Sequence, residues 1–207
     1  MSKNLGVRKP CLRLDVNIFI ITMIEKDIQY QYKPWHHSPM HIFIPNSCYI
    51  VTASIHNKIP FFKDDERLNL LQNTLFQTAE SYDWKLQAWA LFPNHYHFII
   101  HACSKSKTVK SLIQRIHSQT AREVNILDGI KDRQVWFQYW DTCITYEKSY
   151  YPRLNYVHNN PVKHGVVAVA ENYHFCSAMW FSLYAELGYR RKVESFGFSR
   201  VKIIDDF

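Results

Sequence analysis

No Cys-x-x-Cys pair occurs in the 207 residues, and the five cysteines (Cys11, Cys48, Cys103, Cys143, Cys176) are scattered. An odd count at wide spacing argues against a disulfide framework or a zinc ribbon and fits a reducing cytoplasm. Long apolar runs are missing too. The best one near the start, "VNIFIITMI", has nine residues, too few to span a bilayer, and no small-residue cleavage site follows it. The expectation is a soluble cytoplasmic protein without membrane or targeting segments. Repeats and low-complexity tracts are also absent. Acidic residues are the minority: 18 Asp and Glu against 25 Lys and Arg give a formal charge of +7 and a pI near 9.1. That balance favours an anionic partner, nucleic acid first. Hydrophobic residues make up 47% of the chain, which excludes disorder by composition.

The chain is long enough for one domain with a real core plus appendages. We read residues 1–44 as an N-terminal extension, 45–170 as the main domain and 171–207 as a C-terminal tail packed on it. The extension carries the strand-like run above and the Pro- and His-rich "QYKPWHHSPMHIF". "CYIVTASI" is β-branched and predicts a strand. In "KDDERLNLLQNTLFQTAESYD", Leu68, Leu71, Leu75, Phe76 and Ala79 recur at helical spacing behind an acidic start. "WKLQAWALF" and "HYHFIIHA" predict strands joined by a turn at "PN". A second helix is expected from Thr108 to Leu127, with Val109, Leu112, Ile113, Ile116 and Ala121 as its apolar stripe. "VWFQYWDTCIT" predicts a fourth strand and "YEKSYYPRLNYVHNN" a helix, with Pro161 opening a new helical turn. The order strand, helix, strand, strand, helix, strand describes an α+β fold. It is a ferredoxin-like antiparallel sheet with two helices on one face, plus the later helix and the two extensions.

"LFPNHYHFII" places two imidazoles one residue apart in an apolar run. Strand alternation puts His95 and His97 on one face and Tyr96, Phe98 and Ile100 on the other. Such a pair either grips a divalent metal or is a buried pair satisfied by its neighbours. His101 shares the face as a rival ligand or a bystander. Tyr156 and Asn160 are spaced i, i+4, so they share a helix face. A tyrosine hydroxyl beside a metal-held phosphate can attack it. Equally, Tyr156 is one of thirteen tyrosines and can be plain packing, and Asn160 before Pro161 can be plain capping.

Together these segments resemble the HUH single-tyrosine transposases, where HUH denotes His, bulky hydrophobic, His. "LFPNHYHFII" is similar to their "MPNHxH" segment, and "NYVHNNPVKHGVV" to the tyrosine motif "YIxxNPVxxGLV" of the REP-associated branch. "CYIVTASIHNKIPFF", "VWFQYWDTCI", "YHFCSAMWF" and "VKIIDDF" resemble the family's first strand, the strand between the motifs, the segment after them and the end of a longer-tailed subgroup. The resemblance covers Trp35 to Phe207 for the most part; residues 1–34 have no counterpart.

The resemblance implies a single-stranded DNA endonuclease and transferase that cuts and rejoins hairpins of the REP (repetitive extragenic palindrome) type, as a monomer or homodimer. His95 and His97 match its metal-binding histidines for Mg2+ or Mn2+, Tyr156 its nucleophile, and Asn160 the position that completes the metal site. Lys105, Lys107, Lys110, Arg115, Arg122 and Lys163 are then candidates for phosphate contact; otherwise they are solvated surface. Of these Lys163 is a weaker candidate, as is His164 after it. Two other functions remain open: a hairpin-binding protein that does not cut, and a metal-dependent hydrolase with water as nucleophile.

Overall fold

Every residue of β1 (Cys48–Ile55) is buried, as a β-branched strand covered on both faces must be. It pairs antiparallel with β3 (His95–Ala102) on one side and β4 (Trp136–Ile144) on the other, and β3 pairs with β2 (Trp84–Leu91). The order β2-β3-β1-β4 is that of a ferredoxin-like sheet, as the sequence predicted. The structure, a computed structural model, describes residues 43–199, 201 and 203. The strand-like run in residues 16–24, the Pro- and His-rich segment up to residue 42, and most of "VKIIDDF" lie outside the described residues.

Two helices cover one face of the sheet. α1 (Asp65–Ser81) starts where the Asp64 carboxylate accepts the Arg67 N–H at 3.0 Å, and α2 (Val109–Leu127) where the Thr108 hydroxyl accepts the Ser111 N–H at 3.2 Å. Both are side-chain N-caps. Leu68, Leu71 and Leu75 of α1 and Leu112, Ile113 and Ile116 of α2 pack on Tyr49, Val51, Tyr96, Phe98 and Ile100 from alternate positions of β1 and β3. Arg67 ties the layer together: it forms an ion pair with Asp128 just past α2, and Arg133 bonds the same carboxylate at 2.5 Å.

The opposite face carries α3 (Glu147–Lys163), α4 (Ala178–Tyr184) and α5 (Leu187–Glu194). Ile50, Ala88, Ala90, Ile99 and Ile144 from the sheet meet Leu154 and Val157 of α3, Cys176, and Val193 of α5. Residues 175–177 run along the outer edge of β2: Leu91 N–H donates to Phe175 O at 3.0 Å and Ser177 N–H to Trp89 O at 2.9 Å.

Helix α3 corrects one expectation. Pro161 does not open a new turn; the helix runs through it to Lys163, so Asn160 is interior and not a cap. An internal proline deprives the carbonyl four residues back of its N–H partner. Here that carbonyl belongs to Val157, and the buried Cys176 thiol lies between it and His158 O, at 3.7 and 3.6 Å. Gly165, at φ +67°, ends the helix, a left-handed position that glycine adopts without a Cβ penalty. The Val166 N–H closes the end on Pro161 O at 2.9 Å.

Candidate active site

The turn between β2 and β3 is fixed by its backbone. Phe92 N–H donates to His95 O at 2.9 Å, while Asn94 O and Pro93 O accept from Ile55 and Phe62 at 2.9 and 3.0 Å. The first residue of β3 is therefore held at both ends of the turn. Alternation then does what the sequence required of it. Tyr96 points into the α1/α2 core, where its hydroxyl and His117 Nε2 lie 2.8 Å apart. His95 and His97 point to the α3 side, 2% and 0% exposed, with ring centroids 5.2 Å apart.

Each histidine is oriented through Nδ1. His95 Nδ1–H donates to Asn94 Oδ1 at 2.8 Å, and His97 Nδ1 lies 2.7 Å from Thr52 Oγ1 on the neighbouring strand. With its proton on Nδ1, His95 keeps the lone pair on Nε2, the usual way a neighbouring group prepares an imidazole to bind a metal. Phe92 stacks on the His95 ring at 4.5 Å and fixes its plane.

Helix α3 brings a stripe of three residues to this pair. Tyr156, Asn160 and His164 follow one another at i, i+4 and i+8, so they share one face. The Tyr156 ring lies edge-on to His97 at 5.3 Å, and the His164 ring lies 4.7 Å from His95. Asn160 stands between them on the stripe and is 0% exposed. Neither its Oδ1 nor its Nδ2 has a hydrogen-bond partner among the described residues. A buried primary amide without partners costs on the order of 1–3 kcal/mol, so a site of this kind suits a ligand that takes the oxygen. The histidines agree: ligand atoms of His95, His97 and His164 all lie within 4.8 Å of one another. Three imidazoles and an amide oxygen fit a divalent cation.

Tyr156 is 2% exposed. Its ring meets Phe198 edge-on at 6.3 Å, and the Lys163 ammonium sits 5.0 Å from its centroid. The other tyrosines of α3 are placed differently. Tyr151 donates its hydroxyl to Glu147 at 2.8 Å and packs against Phe196, and Tyr150 lies against Tyr151.

The sequence-predicted residues thus fall into two groups. His95, His97, Tyr156, Asn160 and Lys163 come together on the α3 side of the sheet. Lys110, Arg115 and Arg122 are exposed on α2, and Lys105 and Lys107 just before it, in the layer on the opposite face. Lys107 sits 4.0 Å over the Tyr82 ring, and Arg122 pairs with its neighbour Glu123 at 2.9 Å. His101 pairs across the ladders with Cys48 and Lys85 at the far end of β3, outside the histidine cluster. His164 is the residue sequence reasoning left out of the metal set. Its signal was its spacing, four residues after Asn160 on the same helix face. Asn94 had no sequence signal beyond adjacency to His95, and Thr52, on a separate strand, had none.

The likeness to known proteins bears on family and fold. Residues 45–160 match the family model described as "Transposase IS200 like". A protein of Haemophilus influenzae named as a REP-associated tyrosine transposase is 24% identical over 144 residues, which cover 65% of this chain and 81% of that protein. A solved structure of a REP-associated tyrosine transposase bound to a REP hairpin superposes with a TM-score of 0.55 at 18% identity, covering 86% of this chain and 94% of the other. At that identity the likeness speaks for the fold. Among the described residues no helix is long and apolar enough to cross a membrane.

Proposed function

The chain belongs to the IS200-like transposase family, and on that premise we propose that it is a metal-dependent enzyme that nicks and rejoins single-stranded DNA through a 5′-phosphotyrosine. The observation that carries the reading is the approach of Tyr156 to His97, with ring centroids 5.3 Å apart and with Asn160 one turn further along the same helix face. A nucleophile and a set of metal-ligating groups then share one small site.

His95, His97 and Asn160 would hold Mg2+ or Mn2+. Bound there, the ion would supply positive charge to a phosphate undergoing substitution. The chain's own residues do the rest. The Tyr156 hydroxyl attacks phosphorus; the P–O3′ bond breaks; the 3′ oxygen leaves as a hydroxyl with a proton; and the 5′ side stays on the tyrosine. The ester keeps the energy of the broken bond, so another 3′ hydroxyl can reverse the step and rejoin the strand. The Lys163 ammonium beside the Tyr156 ring adds charge where the phosphate must dock. Burial of Tyr156 shields the ester from water until an acceptor arrives.

The substrate class we propose is a single-stranded DNA hairpin of the REP type, bound by a monomer or homodimer. A protein of similar fold is bound to such a hairpin, and the formal charge of +7 favours a polyanion. The test is incubation of the full chain with labelled hairpin oligonucleotides and Mn2+, followed by denaturing electrophoresis. A denaturation-resistant adduct is the expected result. Binding without cutting would instead identify a hairpin-binding protein. Cleavage that survives Tyr156→Phe would identify a hydrolase that uses water.

A further inference from the structure

We infer that His164 is a third imidazole ligand of the metal site and that it biases the site toward nitrogen-preferring transition ions and away from Mg2+. The inference rests on the metal-dependent reading above and extends it to the choice of ion.

The fold places His164 by two devices. Helix α3 continues through Pro161, which keeps His164 in phase with Tyr156 and Asn160. Gly165 then ends the helix at φ +67°, so His164 is its C-cap and is half-buried at the mouth of the site. Its ring lies 4.7 Å from that of His95 and 5.3 Å from Phe92, the same ring that stacks on His95. Ligand atoms of the three histidines lie within 4.8 Å of one another.

One ion bound at ordinary metal–nitrogen distances holds tetrahedral nitrogens about 3.4 Å apart. The cluster therefore needs at most about 1.4 Å of closure. His95 and His97 are pinned through Asn94 and Thr52. Position alone does not recruit a histidine: His101 lies on the same strand face and stays outside the cluster.

The donor set decides the chemistry. Two imidazoles and an amide oxygen leave most of the coordination sphere to oxygen, which suits Mg2+. A third imidazole raises affinity for Co2+ or Zn2+ far more than for Mg2+, because imidazole is a poor ligand for a hard, strongly hydrated ion.

The test uses metal alone on the full chain. Co2+ and Mg2+ are titrated by calorimetry into wild type, His164→Ala, His95→Ala and His101→Ala. His164→Ala should weaken Co2+ binding about tenfold or more and change Mg2+ binding by less than about twofold, while His101→Ala matches wild type. A wild-type measurement makes the result independent of how the variants fold: the Co2+ complex should show three hyperfine-shifted imidazole N–H resonances in its proton NMR spectrum. Two resonances, or unaltered Co2+ binding by His164→Ala where His95→Ala has lost it, overturns the third ligand and leaves the proposed function intact. Wild-type binding no tighter than that of His95→Ala overturns both.

Discussion

Thr52 Oγ1 lies 2.7 Å from Nδ1 of His97, directly across the ladder in which the same two residues are paired. Both are buried, Thr52 at 3% exposure, so neither group has water as an alternative. The contact holds the imidazole in place beside the Tyr156 ring of α3. Thr52→Val keeps the shape and removes the hydroxyl. It should lower Mn2+ affinity about tenfold or more and cost about 1 kcal/mol of stability for the imidazole nitrogen left without its bond. Calorimetric Mn2+ titration and a urea melt measure the two separately. Unchanged affinity would show that Thr52 does not orient the ligand.

His95→Ala and His97→Ala should each abolish divalent-ion-dependent cleavage. Each sits on a strand paired on both sides, so the sheet should survive, at a cost of about 1–3 kcal/mol for the space left in a packed site. Far-UV circular dichroism checks the fold and oligonucleotide cleavage checks the chemistry. Cleavage at the wild-type rate in both variants would remove the metal from the mechanism.

Tyr156→Phe deletes one oxygen and keeps the ring against His97, so hairpin binding should persist while cleavage and the covalent adduct both vanish. Tyr150→Phe and Tyr151→Phe are the controls. Both lie on α3, but Tyr151 is bonded to Glu147 and Tyr150 packs against it. An adduct lost in either control, with Tyr156→Phe still active, would transfer the role to that residue.

The two groups of basic residues should separate in kinetics. Lys163 sits 5.0 Å from the centroid of the proposed nucleophile Tyr156, so Lys163→Ala should slow single-turnover cleavage about tenfold or more, as loss of one charge from a phosphate clamp does. The combined Lys110→Ala, Arg115→Ala and Arg122→Ala variant alters the far layer. It should weaken hairpin binding and flatten its salt dependence by roughly one unit of slope for each phosphate that is no longer neutralised, with the rate of the bound complex unchanged. Salt-dependent binding identical to wild type would reduce the α2 residues to solvated surface.

Asp128 gives a pH prediction. Hydrogen bonds from Arg67 and Arg133 hold its carboxyl down at about 2, below the ordinary carboxylate range. A depressed carboxylate stabilises the fold at pH above its unfolded value, and that contribution is lost as pH falls toward the folded one. Stability should therefore drop between about pH 4 and pH 2. Asp128→Asn should lower stability at pH 7 by about 1–2 kcal/mol, since it removes the charge from the ion pair of the buried Arg67, which keeps Asp64 at 3.5 Å and the Phe61 carbonyl at 3.0 Å, and should flatten that acid limb. Urea melts at several pH values test it; parallel limbs in the two proteins would contradict the assignment.

Much of the site could be read in the sequence because its pairs are local. A two-residue strand period puts His95 and His97 on one face wherever the strand lies, and a 3.6-residue helix period does the same for Tyr156 and Asn160. The apolar stripes of α1 and α2, and the order of the elements, likewise follow from spacing and identify the ferredoxin-like sheet. Which faces meet is not local. Only the packing of α3 across β3 selects His164 and leaves out His101, although both share a face with recognised site residues. Only the layering separates Lys163 from the basic residues of α2, since charge along a chain carries no information about the side of a sheet. Along α3 past Pro161, the Cys176 thiol from a distant part of the chain lies against the carbonyls of Val157 and His158. Periodicity fixes directions within an element. The contacts between elements, set by how the buried faces pack, decide which of those directions converge on one point.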